Sequence, residues 1–190
     1  ALAEGDHEMA LRLAGEGMAP HVVQLAGRET HWMAEAARMA EANGADVIDI
    51  NMGCPARRVT TGWSGAALMR DLDLAVDLIR ATVSATARPV TLKMRSGWSA
   101  GQRNALRLAR AAESAGVAMV TVPGRTREQG YGGEAEYDTV AAVKAALKVP
   151  VVANGDIDSP AKAAAVLEHT GADALMIGRA AMGRPWIFRD

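Results

Sequence analysis

Cysteine occurs once in this chain, phenylalanine once and tyrosine twice. A single cysteine excludes an internal disulfide framework and a multi-cysteine metal site, and a free thiol is kept most easily in a reducing cytoplasm. Aromatic residues make up 4% of the 190 positions, so the core has to be filled by Ala, Val, Leu, Ile and Met. Neither sign of charge dominates: the formal net charge is -1, and any contact with nucleic acid must come from a local patch. No apolar run approaches the ~20 residues of a membrane span. The opening ALAEGDHEMA carries acids early and lacks the basic start and apolar stretch of a signal peptide. The four histidines lack metal-ligand spacing, and there is no Walker loop or dinucleotide GxGxxG fingerprint. These absences leave one globular domain, or part of one, read as cytoplasmic.

What is present is an alternation. Strands are expected over 21–26, 46–51, 89–95, 118–122, 151–154 and 173–178, with helices over 4–15, 30–43, 71–86, 102–115, 137–147 and 160–169. Thr30 is placed to cap the second helix, which carries Met33, Ala36, Ala37 and Ala40 on one stripe. Gly53 to Met69 reads as a long loop or a short helix. Strands separated by helices, each entered from a Gly or Pro, argue for a parallel sheet of βα units.

Such a sheet is either doubly wound and open or closed into a (β/α)₈ barrel. Thr91, Lys93 and Arg95 alternate with Val90, Leu92 and Met94, so one side of a central strand is polar. Helices cover both faces of a doubly wound sheet, and its central strands are nearly all apolar. A barrel can instead turn that side into its lumen. The expected fold is therefore α/β, a (β/α)₈ barrel with about six of its eight βα units present. A start without Met and a stop just after Trp186 to Phe188 fit a fragment cut at both ends.

The chemistry concentrates at strand ends. Val47, Ile48 and Ile50 make a buried strand, with Asp49 and Asn51 sharing one side. That strand delivers Cys54 between Gly53 and Pro55, where parallel α/β folds keep their active sites. With no histidine nearby in sequence to activate it, a protonated thiol suits a general acid; the alternative is an inert buried thiol. Lys93 either snorkels to an edge or stabilises negative charge on a ligand. Asn154, Gly155 and Asp156 after one strand, with Gly178 and Arg179 after the next, are either plain turns or a pair of phosphate-cradling loops. Arg57, Arg58, Arg125 and Arg127 would gather on one face as a basic rim, and Tyr131 is either a stacking ring or a turn residue.

The runs VQLAGRE (23–29), DINMGCPARR (49–58), VTLKMRSGW (90–98), GRTREQGYGGEAEYD (124–138), VVANGDI (151–157) and GADALMIGRAAMGRPWIF (171–188) resemble the bacterial tRNA-dihydrouridine synthases, in particular the B-like branch. The resemblance implies an FMN-dependent barrel that reduces uridines of tRNA to dihydrouridine, with NADPH recharging the flavin. It implies Cys54 as the acid that protonates C5 of the uracil, and Gln24 and Lys93 against the flavin. Asn154, Gly155, Asp156, Gly178 and Arg179 would surround the flavin phosphate, and Asn51 would lie near the base. The basic residues Arg57, Arg58, Arg125 and Arg127 would contact tRNA. Residues 1–190 would then be a partial catalytic domain, lacking N-terminal strands and a C-terminal helical tRNA-binding domain, and would neither close stably nor turn over alone. The family pattern has histidine where this chain has Pro123, which offers neither an imidazole nor a backbone N–H. Two other readings fit the residues: a flavin barrel acting on a free pyrimidine, and a non-catalytic tRNA-binding relative that has lost the flavin through Pro123.

Overall fold

The computed structural model describes residues 15, 17 and 19–189; the helix expected over 4–15 lies outside them, apart from its last position. Six parallel strands stand in the order of the chain: β1 (Val22–Leu25), β2 (Val47–Asn51), β3 (Val90–Lys93), β4 (Met119–Pro123), β5 (Val151–Asn154) and β6 (Ala174–Met176). The helices between them are α1 (Thr30–Ala42), a single turn α2 (Arg57–Thr60), α3 (Leu72–Ser84), α4 (Ala105–Ser114), α5 (Asp138–Ala146) and α6 (Pro160–Thr170), with a 3-10 segment over Gly65–Arg70. A doubly wound sheet reverses its strand order at a switch point. This one never does, which is the order of a barrel wall.

The alternation expected for β3 governs the whole sheet. Ile48, Ile50, Val90, Leu92, Val120, Val122, Val151 and Ala153 point to the helices and are buried. Each such Val, Leu or Ile contributes about 1.5–3 kcal/mol relative to an exposed position. On α1, Met33, Ala37 and Ala40 are buried and Ala36 packs partly against them. The opposite side of the sheet carries Gln24, Asp49, Asn51, Thr91, Lys93 and Asn154, aligned by the register Gln24 to Asp49 to Thr91 and Asn51 to Lys93.

Local chemistry sets the helix ends. Ser159 accepts the Lys162 N–H, Pro160 opens α6 and Gly171 closes it at φ 63°; Asp71 caps α3 through the Leu74 N–H. Thr30 is the first residue of α1 rather than its cap: Glu29 holds the extended cap position and no side chain bonds the first turn. β3 ends at Lys93, two residues earlier than expected, and β4 runs one further, to Pro123, a position that tolerates proline because the strand stops there. Among the described residues no helix is long and apolar enough to cross a membrane.

Candidate active site

The loops that follow the strands enclose a cavity of about 800 Å³. Its floor begins with a chain of side-chain hydrogen bonds across three strands. Thr91 Oγ1 donates to Asp49 Oδ1 (2.7 Å), Gln24 Nε2 donates to Asp49 Oδ2 (2.6 Å), and Asn51 Nδ2 donates to Gln24 Oε1 (2.8 Å). A carboxylate can only accept, so Asp49 turns the Gln24 amide outward and that amide turns Asn51. The Asn51 oxygen is thereby left to receive the Gly53 and Cys54 N–H groups at 3.1 and 2.9 Å. Burial pushes the Asp49 carboxyl above the usual aspartate range, against the hydrogen bonds of Gln24 and Thr91 and the charge of Lys93.

Cys54 is a free thiol, half-buried, on the cavity wall. Its carbonyl accepts the Ala66 N–H at 3.0 Å. Gly65 sits against it at φ 58°, where an added Cβ would lie 2.9 Å from the Cys54 oxygen and 3.2 Å from the Cys54 Cβ. Arg95 fastens the other side: its Nε donates to Gly53 O at 2.8 Å and its Nη1 to Gly130 O at 2.8 Å. The loop that carries the thiol is thus held from three directions.

Lys93 Nζ donates to Asn154 Oδ1 at 3.0 Å, and Asn154 Nδ2 donates to Met176 O. Burial draws the Lys93 ammonium below the ordinary lysine value, helped by the Arg95 charge and opposed by Asp49. At the far end, Arg125 grips Asp156 with both Nη atoms (2.9 and 2.6 Å) and donates to the carbonyls of Gly132 and Gly133. Asp156 also accepts from Arg179 and from the Ala135 N–H. The Arg125 hydrogen bond above all holds the Asp156 carboxyl below the usual range. Tyr131 is exposed, with the Arg95 and Arg179 guanidinium carbons 5.9 and 5.3 Å from its ring centre.

Of the residues singled out in the sequence, Cys54, Asn51, Gln24, Lys93, Asn154, Gly155, Asp156, Gly178, Arg179 and Arg125 all line this cavity, as does Pro123. Arg57 and Arg58 do not; they are exposed on α2. Arg127 stands outside as well, stacked at 4.7 Å over Trp98. The picture of Arg125 as a solvated rim cation needs correction, since its side chain is 6% exposed and committed to Asp156 and two carbonyls. Two contributors have no clear sequence signal for their roles: Asp49 as the origin of the amide orientation, although its parity with Asn51 places both on one face, and Arg95 as the tether. Among the described residues no three His, Cys, Asp or Glu side chains gather as metal ligands.

Comparison with known proteins bears on this cavity. Two curated relatives are a probable tRNA-dihydrouridine synthase of Rhizobium leguminosarum bv. phaseoli, 56% identical over 175 residues (92% of this chain, 55% of the relative), and tRNA-dihydrouridine synthase B of Xanthomonas axonopodis pv. citri, 59% identical over 171 residues (90% and 52%). The chain thus spans about half the length of the curated relatives it matches. Among solved structures, a mandelate racemase/muconate lactonizing enzyme from Roseiflexus sp. superposes with a TM-score of 0.60 at 20% identity, over 87% of this chain and 42% of that one. A dipeptide epimerase from Enterococcus faecalis V583 gives 0.58 at 13% identity, over 82% and 37%; at such identities the likeness concerns the fold alone. With the dihydrouridine synthase (Dus) family matching residues 2–190, nearly the whole sequence, the chain belongs to that family.

Proposed function

We propose that this chain is the catalytic part of a B-like tRNA-dihydrouridine synthase, which reduces uridines of tRNA to 5,6-dihydrouridine with FMN as cofactor and NADPH as reductant, in the cytoplasm. The observation that carries the reading is the convergence of a free thiol, a half-buried ammonium and the two loops after β5 and β6 in one cavity at the strand ends of a family member.

The residues present fit FMN. A volume of about 800 Å³ lies within the range of cofactor sites, roughly 300–1,000 Å³. Lys93 has an amide oxygen as its hydrogen-bond partner rather than a carboxylate, which leaves its charge for an electron-rich ring. At the other end Arg125 and Arg179 both donate to Asp156, with Asp158 also on the cavity wall, and the two guanidiniums supply N–H donors for a phosphate. An added Cβ on Gly178 would meet nothing within 4 Å, so the backbone there is open to a ligand. Gln24 and Lys93 would lie against the ring, and Asn154, Gly155, Asp156, Gly178 and Arg179 would surround the phosphate end, Asp156 by orienting Arg125 and Arg179.

Bound FMN supplies the hydride when reduced. Cys54, on the same cavity wall, would supply the proton at C5 that quenches the charge developing on the uracil. Asn51 has its oxygen and one N–H engaged by the protein, which leaves a second N–H for the base. The target uridine must leave the RNA stack to reach the cavity, while exposed Arg57 and Arg58, with Arg127, meet phosphates. β1 pairs only with β2 and β6 only with β5 among the described strands. We assign the remaining barrel strands and a helical tRNA-binding domain to the half of the relatives' length that this chain does not span.

The test is made on the complete protein. After incubation with FMN and desalting it should retain a visible flavin absorbance band and form dihydrouridine in unmodified tRNA; Cys54→Ala should abolish turnover while keeping flavin and tRNA binding. A protein that stays colourless with Pro123 and with Pro123→His, or that reduces free uracil or orotate but never tRNA, overturns the reading.

A further inference from the structure

A ladder of alternating indoles and guanidiniums runs across the loops after β2, β3 and β4, and the chemistry above uses only Arg127 of it. The Arg70 guanidinium carbon lies 5.2 Å from the Trp63 ring centre and 5.0 Å from that of Trp98, and Arg127 lies 4.7 Å over Trp98. Trp98 is therefore flanked by two cations, and Arg70 by two indoles. Trp63 is the end of the ladder: it has one cation over it and is 49% exposed. Its backbone is left-handed at φ 56°, a conformation a bulky side chain takes only when its surroundings impose it. Trp63 also borders a groove of about 390 Å³ with Arg28, Glu29 and Leu74.

The position matters as much as the stack. Trp63 stands two residues before Gly65, the glycine packed against Cys54, so the end of the ladder lies on the thiol side of the cavity. An indole face, an apolar Leu74 and the Arg28 side chain, 55% exposed with only a 3.9 Å contact to Glu29, are the ingredients for holding a nucleobase and its phosphate. Exposed Arg57 and Arg58 lie six and five residues earlier in the same segment. That charge favours a polyanion over an acid-poor protein surface. We propose that Trp63 is a stacking platform for an unpaired base of the RNA next to the one that enters the cavity, with Arg28 on its phosphate. The inference rests on the reading of tRNA as substrate and adds a subsite to it.

The experiment measures tRNA binding and dihydrouridine formation by the complete protein carrying Trp63→Leu, Trp63→Tyr or Arg28→Gln, each checked for flavin content and folding. Leucine keeps an apolar body without a π-face. Stacking on an aromatic side chain is worth ~5- to 150-fold in affinity per base. Trp63→Leu should therefore weaken binding about tenfold, raise KM and leave kcat unchanged, with an unaltered salt slope. Trp63→Tyr should restore most of the affinity, and Arg28→Gln should lower the salt slope by about one. If wild-type protein modifies tRNA and Trp63→Leu binds within twofold of it, the subsite falls and the functional reading stands. If Trp63→Leu instead abolishes self-association while leaving tRNA binding intact, the face is a protein interface and the inference is overturned. Wild-type protein that neither binds nor modifies tRNA overturns the functional reading itself, and the subsite with it.

Discussion

Replacing Asp156 by asparagine removes the counter-charge of the most tightly bound ion pair of the cavity and turns one of its two acceptor oxygens into a donor. Asp156 has φ 49°, and asparagine tolerates that left-handed backbone better than alanine does, so the exchange removes the carboxylate without adding backbone strain. Arg125, 6% exposed, would keep its contacts to the carbonyls of Gly132 and Gly133 but face an amide in place of its counter-charge. Removing one partner of a buried pair costs ~3–5 kcal/mol. The Asp156 side chain is 30% exposed, and solvent screening reduces that figure, so we expect a loss of about 2 kcal/mol at pH 7 in urea unfolding of the complete protein. The pH dependence identifies the cause. The folded-state carboxyl titrates below its unfolded value, chiefly through the Arg125 hydrogen bond. Its contribution is thus fully present above the unfolded value of ~3.9 and is lost as pH falls through the lower folded one. The gap between wild type and Asp156→Asn should therefore be level from pH 7 to 5 and narrow below pH ~4. A gap that stays constant from pH 7 to 3 would refute the electrostatic argument.

Two further outcomes follow from the thiol loop. Gly65→Ala should cost about 2–4 kcal/mol, combining a left-handed L-residue with overpacking against Val59 and Cys54; a change under about 0.5 kcal/mol in thermal unfolding, typical of an unstrained surface site, would contradict it. Asp49→Leu should free the Gln24 and Asn51 amides to flip, loosen the Asn51 hold on the Cys54 N–H, and speed Cys54 alkylation by iodoacetamide about fivefold, the equivalent of one hydrogen bond. Unchanged alkylation and turnover would show that Asp49 does not position the loop.

The sequence by itself determined the wall of this molecule. Strand parity is a local property, so Thr91 and Lys93 set against Val90 and Leu92 declared a polar lumen before any strand was paired, and the helix expected from Pro160 starts there. Cys54 was legible because Gly53 and Pro55 bracket it at a strand end. Tertiary structure decided what each side chain meets. Arg125 reads like Arg127 in sequence, yet one is buried on Asp156, 31 positions away, and the other lies over Trp98. Arg95 could not be seen as the tether of Gly53, because its acceptors are carbonyls with no side-chain signature. Whether a cation stays in water or is spent on a distant carbonyl depends on which loops the sheet brings together, and no local pattern encodes that.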